Sequence, residues 1–312
     1  MKMLLGLLEL MRPLEWSKSF GNAVIGMLFA FYIGLATISI TTFIFGTIGI
    51  ALLWSGLYAL NDYTDREADA KHKAKKLRPI PSGKVPPKIA LLFSLILIII
   101  PFFISLYLNN PLYALCLIFM LINQLLYTLK PFSLKKRPIV DFISGSMINP
   151  AFRYLTGWVL FVPTFNAPIL GFIFIIGIQL GGYMLYRIHS KDHDKKHGYK
   201  SSVVLFPEKI IKNTAYGILI ISLLSFSIIL LQGIALYFGI YEENLLKLGF
   251  LPIQYSIVLF LGLYYLPKLI TPMKNPEKTK LNPIYRTIYS MNLLFVITLF
   301  IVFIISKTYF VI

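Results

Sequence analysis

The chain has 312 residues, of which 57% are hydrophobic and only 14% charged, with a mean hydropathy of +0.74. Charged residues make up about a quarter of soluble domains, so this composition excludes an ordinary soluble protein and points to the membrane. The net charge of +17 is read as the basic excess of cytoplasmic loops rather than as a nucleic-acid footprint. The single cysteine, Cys116, lies in an apolar run and excludes intrachain disulfides and thiolate metal clusters.

Taken in chain order, the first sixteen residues hold Lys2, leucines at 4, 5, 7 and 8, and Met11. Glu9 interrupts this run and no small-residue cleavage site follows, so a signal peptide is not expected. The segment reads as a helix in the membrane interface that leads into the first span, with Trp16 as an interfacial anchor. Nine apolar runs are long enough to cross about 30 Å of hydrocarbon; they lie near 18–38, 40–60, 88–108, 111–129, 138–162, 167–188, 213–239, 248–270 and 285–307. The turns at 108–110 and 163–166 are tight and uncharged, whereas the connections after spans two, four, six and eight are long or basic. Of the 30 lysines and arginines, only Lys247 and Lys307 fall on the opposite side, and Arg153 lies inside span five. By the positive-inside rule the amino terminus and the four long loops are cytoplasmic. The expected fold is all-α: one domain over residues 1–312, a polytopic bundle of about nine transmembrane helices around a central cavity with a cytoplasmic polar cap, placed in the cell membrane.

The densest charge follows the second span, in the stretch NDYTDREADAKHKAKKLRPIPSG at 61–83. Asn61, Asp65 and Asp69 are spaced i, i+4, i+8, and Asp62 precedes Asp69 by seven residues. A helix that continues from the span places all four on one face. Carboxylates so arranged repel one another unless a divalent cation sits between them, and hard oxygen ligands with a missing counter-charge point to Mg2+ shared with a phosphate-bearing substrate. Lys71, Lys73, Lys75, Lys76 and Arg78 follow at once as partners for that phosphate, ending in the turn Pro79–Gly83.

The loop after span four, YTLKPFSLKKRPIVD at 127–141, carries Tyr127, Lys130, Lys135, Lys136 and Arg137 ahead of Asp141, an acid just inside a span. Asp141 at that depth is costly unless paired. For Lys135 and Lys136 a topology-setting role is at least as good a reading as contact with diphosphate. Arg153 lies about fifteen residues into span five, where a buried arginine is functional by default, pairing with an acid or with an anionic acceptor. The stretch YRIHSKDHDKKHGYKSS at 186–202 repeats the acid-then-base plan with Arg187, Asp192, Asp194, Lys195, Lys196 and Lys200. Its histidines at 189, 193 and 197 lack thiol partners and read as solvated or phosphate-contacting rather than zinc-binding.

The pattern NDxxDxxxD, a basic stretch and then RPIPSG resembles the first signature of the UbiA superfamily of intramembrane prenyltransferases. The 127–141 loop and the segment Arg12–Lys18 are similar to that family's corresponding segments. Its second signature resembles DxxxDxxxG followed by Thr or Ser; with Gly198 and Ser201 aligned, Asp194 takes the second aspartate and Ser190 stands at the first, with Asp192 two residues away. What the resemblance implies is Mg2+-dependent transfer of a polyprenyl group from its diphosphate to an acceptor. It implies Asn61, Asp65, Asp69, Asp192 and Asp194 as metal ligands, with Asp62 among the catalytic acids. Lys73, Arg78, Lys130, Arg187 and Lys196 become diphosphate contacts, and Tyr127, Asp141 and Arg153 substrate-binding residues. The acceptor stays open among aromatic acids, quinone precursors, glycerol-ether lipids, chlorophyll-type acids and polyenes. Phosphoribosyl transfer to a polyprenyl phosphate and cyclisation without an acceptor would reuse the same site. A transporter of a phosphorylated or lipid substrate is the rival outside enzymes, but transporter sites lie near the midplane, whereas these acids gather at one membrane face.

Overall fold

The computed structural model describes residues 2–71, 75–274 and 281–309; Lys73 lies outside them. Every regular element among the described residues is helical, and seven of these helices are long and apolar enough to cross a membrane. Two positions of the nine expected are built differently. Helix α2 (Trp16–Tyr32) has 17 residues, at the lower limit of about 17–25 for a span. Span five is broken into α6 (Val140–Ser146) and α7 (Ile148–Val159) at Met147. Pro150 in the first turn of α7 supplies no N–H, and its ring is incompatible with a helical carbonyl at Ser146. The backbone therefore restarts there instead of running through.

Helix α1 (Lys2–Met11) buries Gly6 and Leu10 and exposes Met3, Leu4, Leu5 and Leu8. Leu10 packs with Ala59, Ile80, Val85 and Ala90, which docks α1 on the polar end of the bundle. A 3-10 turn at Pro13–Glu15 then leads into α2, with Arg12 held in the left-handed region (φ 50, ψ 62).

The longest element, α3 (Ile40–Ala70), starts at an N-cap where Thr42 donates its N–H to the Ser39 side chain, at 3.2 Å. Its 31 residues reach about 46 Å, well beyond the hydrocarbon thickness of about 30 Å. The excess is the acidic segment, which continues the helix without a break, as the four-residue spacing of its acids requires. After α3, the Pro79–Gly83 turn doubles the chain back. Val85 donates to Pro79 O at 3.0 Å, and Gly83 adopts φ 75. Burial of Ile80 and Val85 pins this turn against α1 and α3.

Helix α4 (Pro87–Tyr107) packs along α3, and α5 (Pro111–Thr128) is capped by Asn110, whose side chain accepts from Tyr113 N at 2.9 Å and donates to Val159 O at 2.7 Å. Helix α8 (Ile169–Arg187) runs through a 3-10 turn into the short α9 (Lys191–Lys196) and α10 (Ser202–Leu205), then packs against α11 (Glu208–Tyr237). After α12 (Glu243–Leu246), α13 (Val258–Lys274) and α14 (Leu281–Tyr309) complete the chain.

Helices α2 and α7 cross in backbone contact. A Cβ on Gly157 would lie 1.9 Å from Ala23 O, and one on Gly26 would lie 2.3 Å from Tyr154 O. This small-residue seam holds α7, and with it Arg153, at a fixed distance from the start of α2. A crevice of about 820 Å³ opens between the start of α2 and α14, lined by Pro13, Trp16, Phe20, Tyr285, Tyr289 and Leu293 among others.

Candidate active site

The polar end of α3 is organised by cations that arrive from other elements. Asp62 and Asp69 are almost fully buried, and Arg78, brought back by the Pro79–Gly83 turn, bridges them. Its Nη1 donates to Asp62 at 2.9 Å and to Asp69 at 2.7 Å. The left-handed backbone at Arg12 delivers a second guanidinium to the same Asp62 oxygen at 2.7 Å. Lys75 stands 3.5 Å from Asp69. Asp65, one turn from Asp62, accepts from Lys135 with both oxygens, at 2.9 and 3.0 Å. Asn61 faces α5, where the Thr128 hydroxyl points at its side-chain oxygen at 3.4 Å.

The second acidic group is built on the far side of the same end. Arg187, at the C-terminus of α8, donates to Asp194 at 2.6 Å and stands 3.8 Å from Asp141. The Ser201 hydroxyl donates to the same Asp194 oxygen at 2.6 Å. Asp141 accepts from the Ser202 N–H at 3.0 Å and from the Ser202 hydroxyl. These bonds answer the cost of an acid just inside a span. Tyr127 and Tyr183 share a hydroxyl contact of 2.7 Å. Ser190 donates to Arg187 O at 2.7 Å, closing the 3-10 turn that aims Asp194 inward.

Tyr199 links the two groups: its N–H donates to Asp194 O at 2.9 Å, and its ring lies under Lys136, next to the Lys135 that holds Asp65. Burial raises its phenol above the usual value, and the negative charges of Asp65, Asp194 and Asp69 push in the same direction. One phenol thus senses carboxylates from both loops. Lys136 sits 4.4 Å over the Tyr199 ring. Burial and then Lys135 and Lys130 lower the pKa of this lysine, with Asp65 opposing. His193 stacks on His197 at 4.2 Å and lies 3.6 Å from Asp194.

The structure therefore brings together Asn61, Asp62, Asp65, Asp69, Arg78, Asp141, Arg187 and Asp194 at one end of the bundle. Asp192, Lys196 and Lys130 are exposed and make no ion pair among the described residues; two residues along α9, Asp192 points away from the direction of Asp194. Arg153 belongs to a separate, deeper layer, 4.1 Å over the Trp54 ring. Sequence reasoning did not single out Arg12, Lys75 or Ser202 as partners of the acids. It left Lys135 as a topology-setting charge as readily as a ligand contact. Only the placement of Arg12 beside a proline turn at the edge of a span hinted at a special conformation.

Among the described residues, no three Asp, Glu, His or Cys side chains gather as a ready metal cage. The carboxylates instead hold Arg12, Arg78, Lys75, Lys135 and Arg187 as counter-charges. Their chemistry still fits a hard divalent cation, since they are oxygen donors on consecutive helical turns once those counter-charges turn away.

The sequence profile of the UbiA prenyltransferase family matches residues 22–265. A protoheme IX farnesyltransferase from Leptospira biflexa is 37% identical over 145 residues, covering 43% of this chain and 49% of that one. A digeranylgeranylglyceryl phosphate synthase from Methanothrix thermoacetophila is 33% identical over 151 residues, covering 48% and 51%. In these alignments the chain spans about half the length of the curated relatives it matches. A solved UbiA homologue from Archaeoglobus fulgidus, bound to GPP and Mg2+, superposes with a TM-score of 0.69 at 17% identity, over 95% of this chain and 99% of that one. With a profile match across most of its length and the same fold, the chain belongs to the UbiA prenyltransferase family.

Proposed function

We propose that this protein is a Mg2+-dependent membrane prenyltransferase that moves a polyprenyl group from its diphosphate to a lipid-soluble acceptor. The observation that carries this reading is the gathering of buried or half-buried acids from two loops, Asp62, Asp65 and Asp69 with Asp194, at one end of the bundle, each held by a cation from another element or loop. Asn61, Asp65, Asp69 and Asp194 would hold Mg2+, which supplies positive charge to the leaving diphosphate. Arg12, Arg78, Lys75, Lys135 and Arg187 then have a second task. In the ligand-free protein they neutralise the carboxylates; with those engaged, they turn to phosphate oxygens through charge-assisted hydrogen bonds.

In the transfer itself, the C1–O bond of the donor breaks and its electron pair leaves with the diphosphate. A new bond forms between C1 and the acceptor's nucleophilic atom, whose proton passes to the departing diphosphate. The allylic charge at C1 develops just below the acids, beside the Tyr58 ring one turn from Asp62, and π-faces stabilise positive charge. The apolar bundle below keeps water from C1 and accommodates the isoprenoid tail, while the basic loops support a cytoplasmic cap.

The test is diphosphate release by the purified protein in lipid, with geranyl, farnesyl and geranylgeranyl diphosphates, Mg2+, and a membrane-extract acceptor pool. Acceptor-dependent release with a mass gain of isoprene units is expected, and Asp65→Asn or Asp69→Asn should abolish it. No release with any donor, or full activity in both variants, would overturn the reading.

A further inference from the structure

The layer below the cap contains a cation without a counter-ion. Arg153 is 4% exposed. It rests on Trp54 at 4.1 Å and forms no ion pair among the described residues. Its Nε has no hydrogen-bond partner. The nearest acid to answer it is Glu15, and that carboxylate is already committed: Lys18 pairs with it at 2.7 Å, and the Tyr58 and Tyr289 hydroxyls donate to it. Asp62 in turn is shared by Arg12 and Arg78. Arg12, Lys18 and Arg153 together thus exceed the negative charge around them.

Other unpaired polar atoms lie beside this surplus. Glu15, Ser19, Asn22 and Gly26 fall at i, i+4, i+7 and i+11, one face of the chain entering and running along α2. The lower end of that face meets α7 at Tyr154 and Trp158, and its upper end meets Tyr58 through Glu15. Ser19 Oγ and Asn22 Nδ2 on this face are buried without partners, as is Asn149 Oδ1, one turn before Arg153 on α7. Asn22 accepts only from Gln179, at 2.7 Å. Buried groups of this kind are ordinarily satisfied, and an unpaired arginine inside a span is costly.

The depth separates this layer from the donor's diphosphate. Trp54 precedes Asp62 by eight residues on α3, which is about 12 Å along the helix axis. A group bound at Arg153 therefore faces the reacting carbon from the side opposite the cap, where the acceptor must come.

We propose that Arg153, with the unpaired donors of Ser19 and Asn22 beside it on α2, is the subsite for an anionic head group of the acceptor, a carboxylate or a phosphate. This deepens the prenyl-transfer reading and rests on it. The guanidinium supplies paired donors matched to such a group, Ser19 and Asn22 add further donors, and Trp54 and Tyr58 wall the acceptor's apolar body.

The experiment uses the full-length protein in lipid with farnesyl diphosphate and Mg2+. A membrane extract is split by anion exchange into neutral lipids, carboxylic acids and phosphate-bearing lipids, and each fraction is offered separately. Prenylated product from one of the two acidic fractions is expected, and which one forms it distinguishes carboxylate from phosphate. Product from the neutral fraction would overturn the subsite while leaving prenyl transfer intact. Failure of all three fractions would overturn prenyl transfer itself. With the reactive fraction, Arg153→Gln should raise the acceptor KM at least about tenfold and leave the affinity for a non-hydrolysable farnesyl thiodiphosphate within about twofold, while Arg153→Lys recovers part of the loss. Ser19→Ala and Asn22→Ala, which keep the Arg153–Trp54 stack, should raise the same KM more modestly. An unchanged acceptor KM in all of these variants, or a loss confined to the donor analogue, would refute the assignment.

Discussion

Replacing Arg78 with glutamine isolates what the cations around α3 do before any ligand arrives. Arg78 Nη1 bonds Asp62 at 2.9 Å and Asp69 at 2.7 Å, and those side chains are 4% and 3% exposed while Arg78 itself is 28% exposed. A hydrogen bond to a charged group contributes about 1.5–3 kcal/mol, so two of them set an upper bound of about 6 kcal/mol. Partial exposure of the guanidinium reduces this, and Arg12 and Lys75 still hold the two carboxylates in the variant. A loss of about 2 kcal/mol follows in the absence of metal. With Mg2+ on the carboxylates the missing charge is replaced, and the loss should fall below about 1 kcal/mol. Circular dichroism of the purified variant in detergent, unfolded by denaturant once in EDTA and once in millimolar Mg2+, measures both numbers against the parent protein. Equal losses in the two conditions would show that these acids serve the fold and not a metal. No loss in EDTA would show that the Arg78 bridge contributes nothing.

Lys135→Met should free Asp65 from a lysine that competes for both of its oxygens, so Mn2+ affinity measured by electron paramagnetic resonance without substrate should rise about three- to tenfold; an unchanged affinity would remove Asp65 from the ligand set. Gly157→Leu should cut the yield of folded protein sharply, because its Cβ would lie 1.9 Å from Ala23 O, whereas Gly182→Ala, with open space around it, should fold normally; gel filtration in detergent separates the outcomes. Burial disfavours the charge on Glu15, but Lys18 and the Tyr289 and Arg12 contacts outweigh it and hold the carboxyl below its usual value. Its stabilisation is therefore present above the ordinary glutamate pKa of about 4.3 and is lost as pH falls through the lowered value. Thermal unfolding between pH 5 and 3, numbers that bracket about that range, should fall less steeply in Glu15→Gln than in the parent, and parallel curves would contradict this.

Much of the architecture was legible before any coordinates. Apolar runs of span length arise from the need to satisfy backbone groups inside hydrocarbon, and the one-sided lysines and arginines place the charged loops together. The continuation of α3 through Asp69 was readable from four-residue spacing, since a helix that ended at the membrane surface would scatter those acids. The register with Gly198 and Ser201 singled out Asp194 as the second signature's aspartate.

Other features lay beyond reach of a linear reading because they depend on what meets across the bundle. Pro150 sits in an apolar run that looks continuous, yet it divides span five into α6 and α7. Asp192 and Asp194 are two residues apart and equally acidic in the chain, but helical rotation exposes one and buries the other. Arg12 reaches Asp62 and Lys135 reaches Asp65 over 50 and 70 residues of sequence, distances at which local pattern carries no information. The sequence by itself determined that this is a membrane bundle with acids and bases gathered at one face, because helix period and the cost of charge in hydrocarbon are local properties. Only the tertiary structure decided which base answers which acid and left Arg153 unanswered on Trp54, because pairing depends on the packing of helices that the chain order keeps far apart.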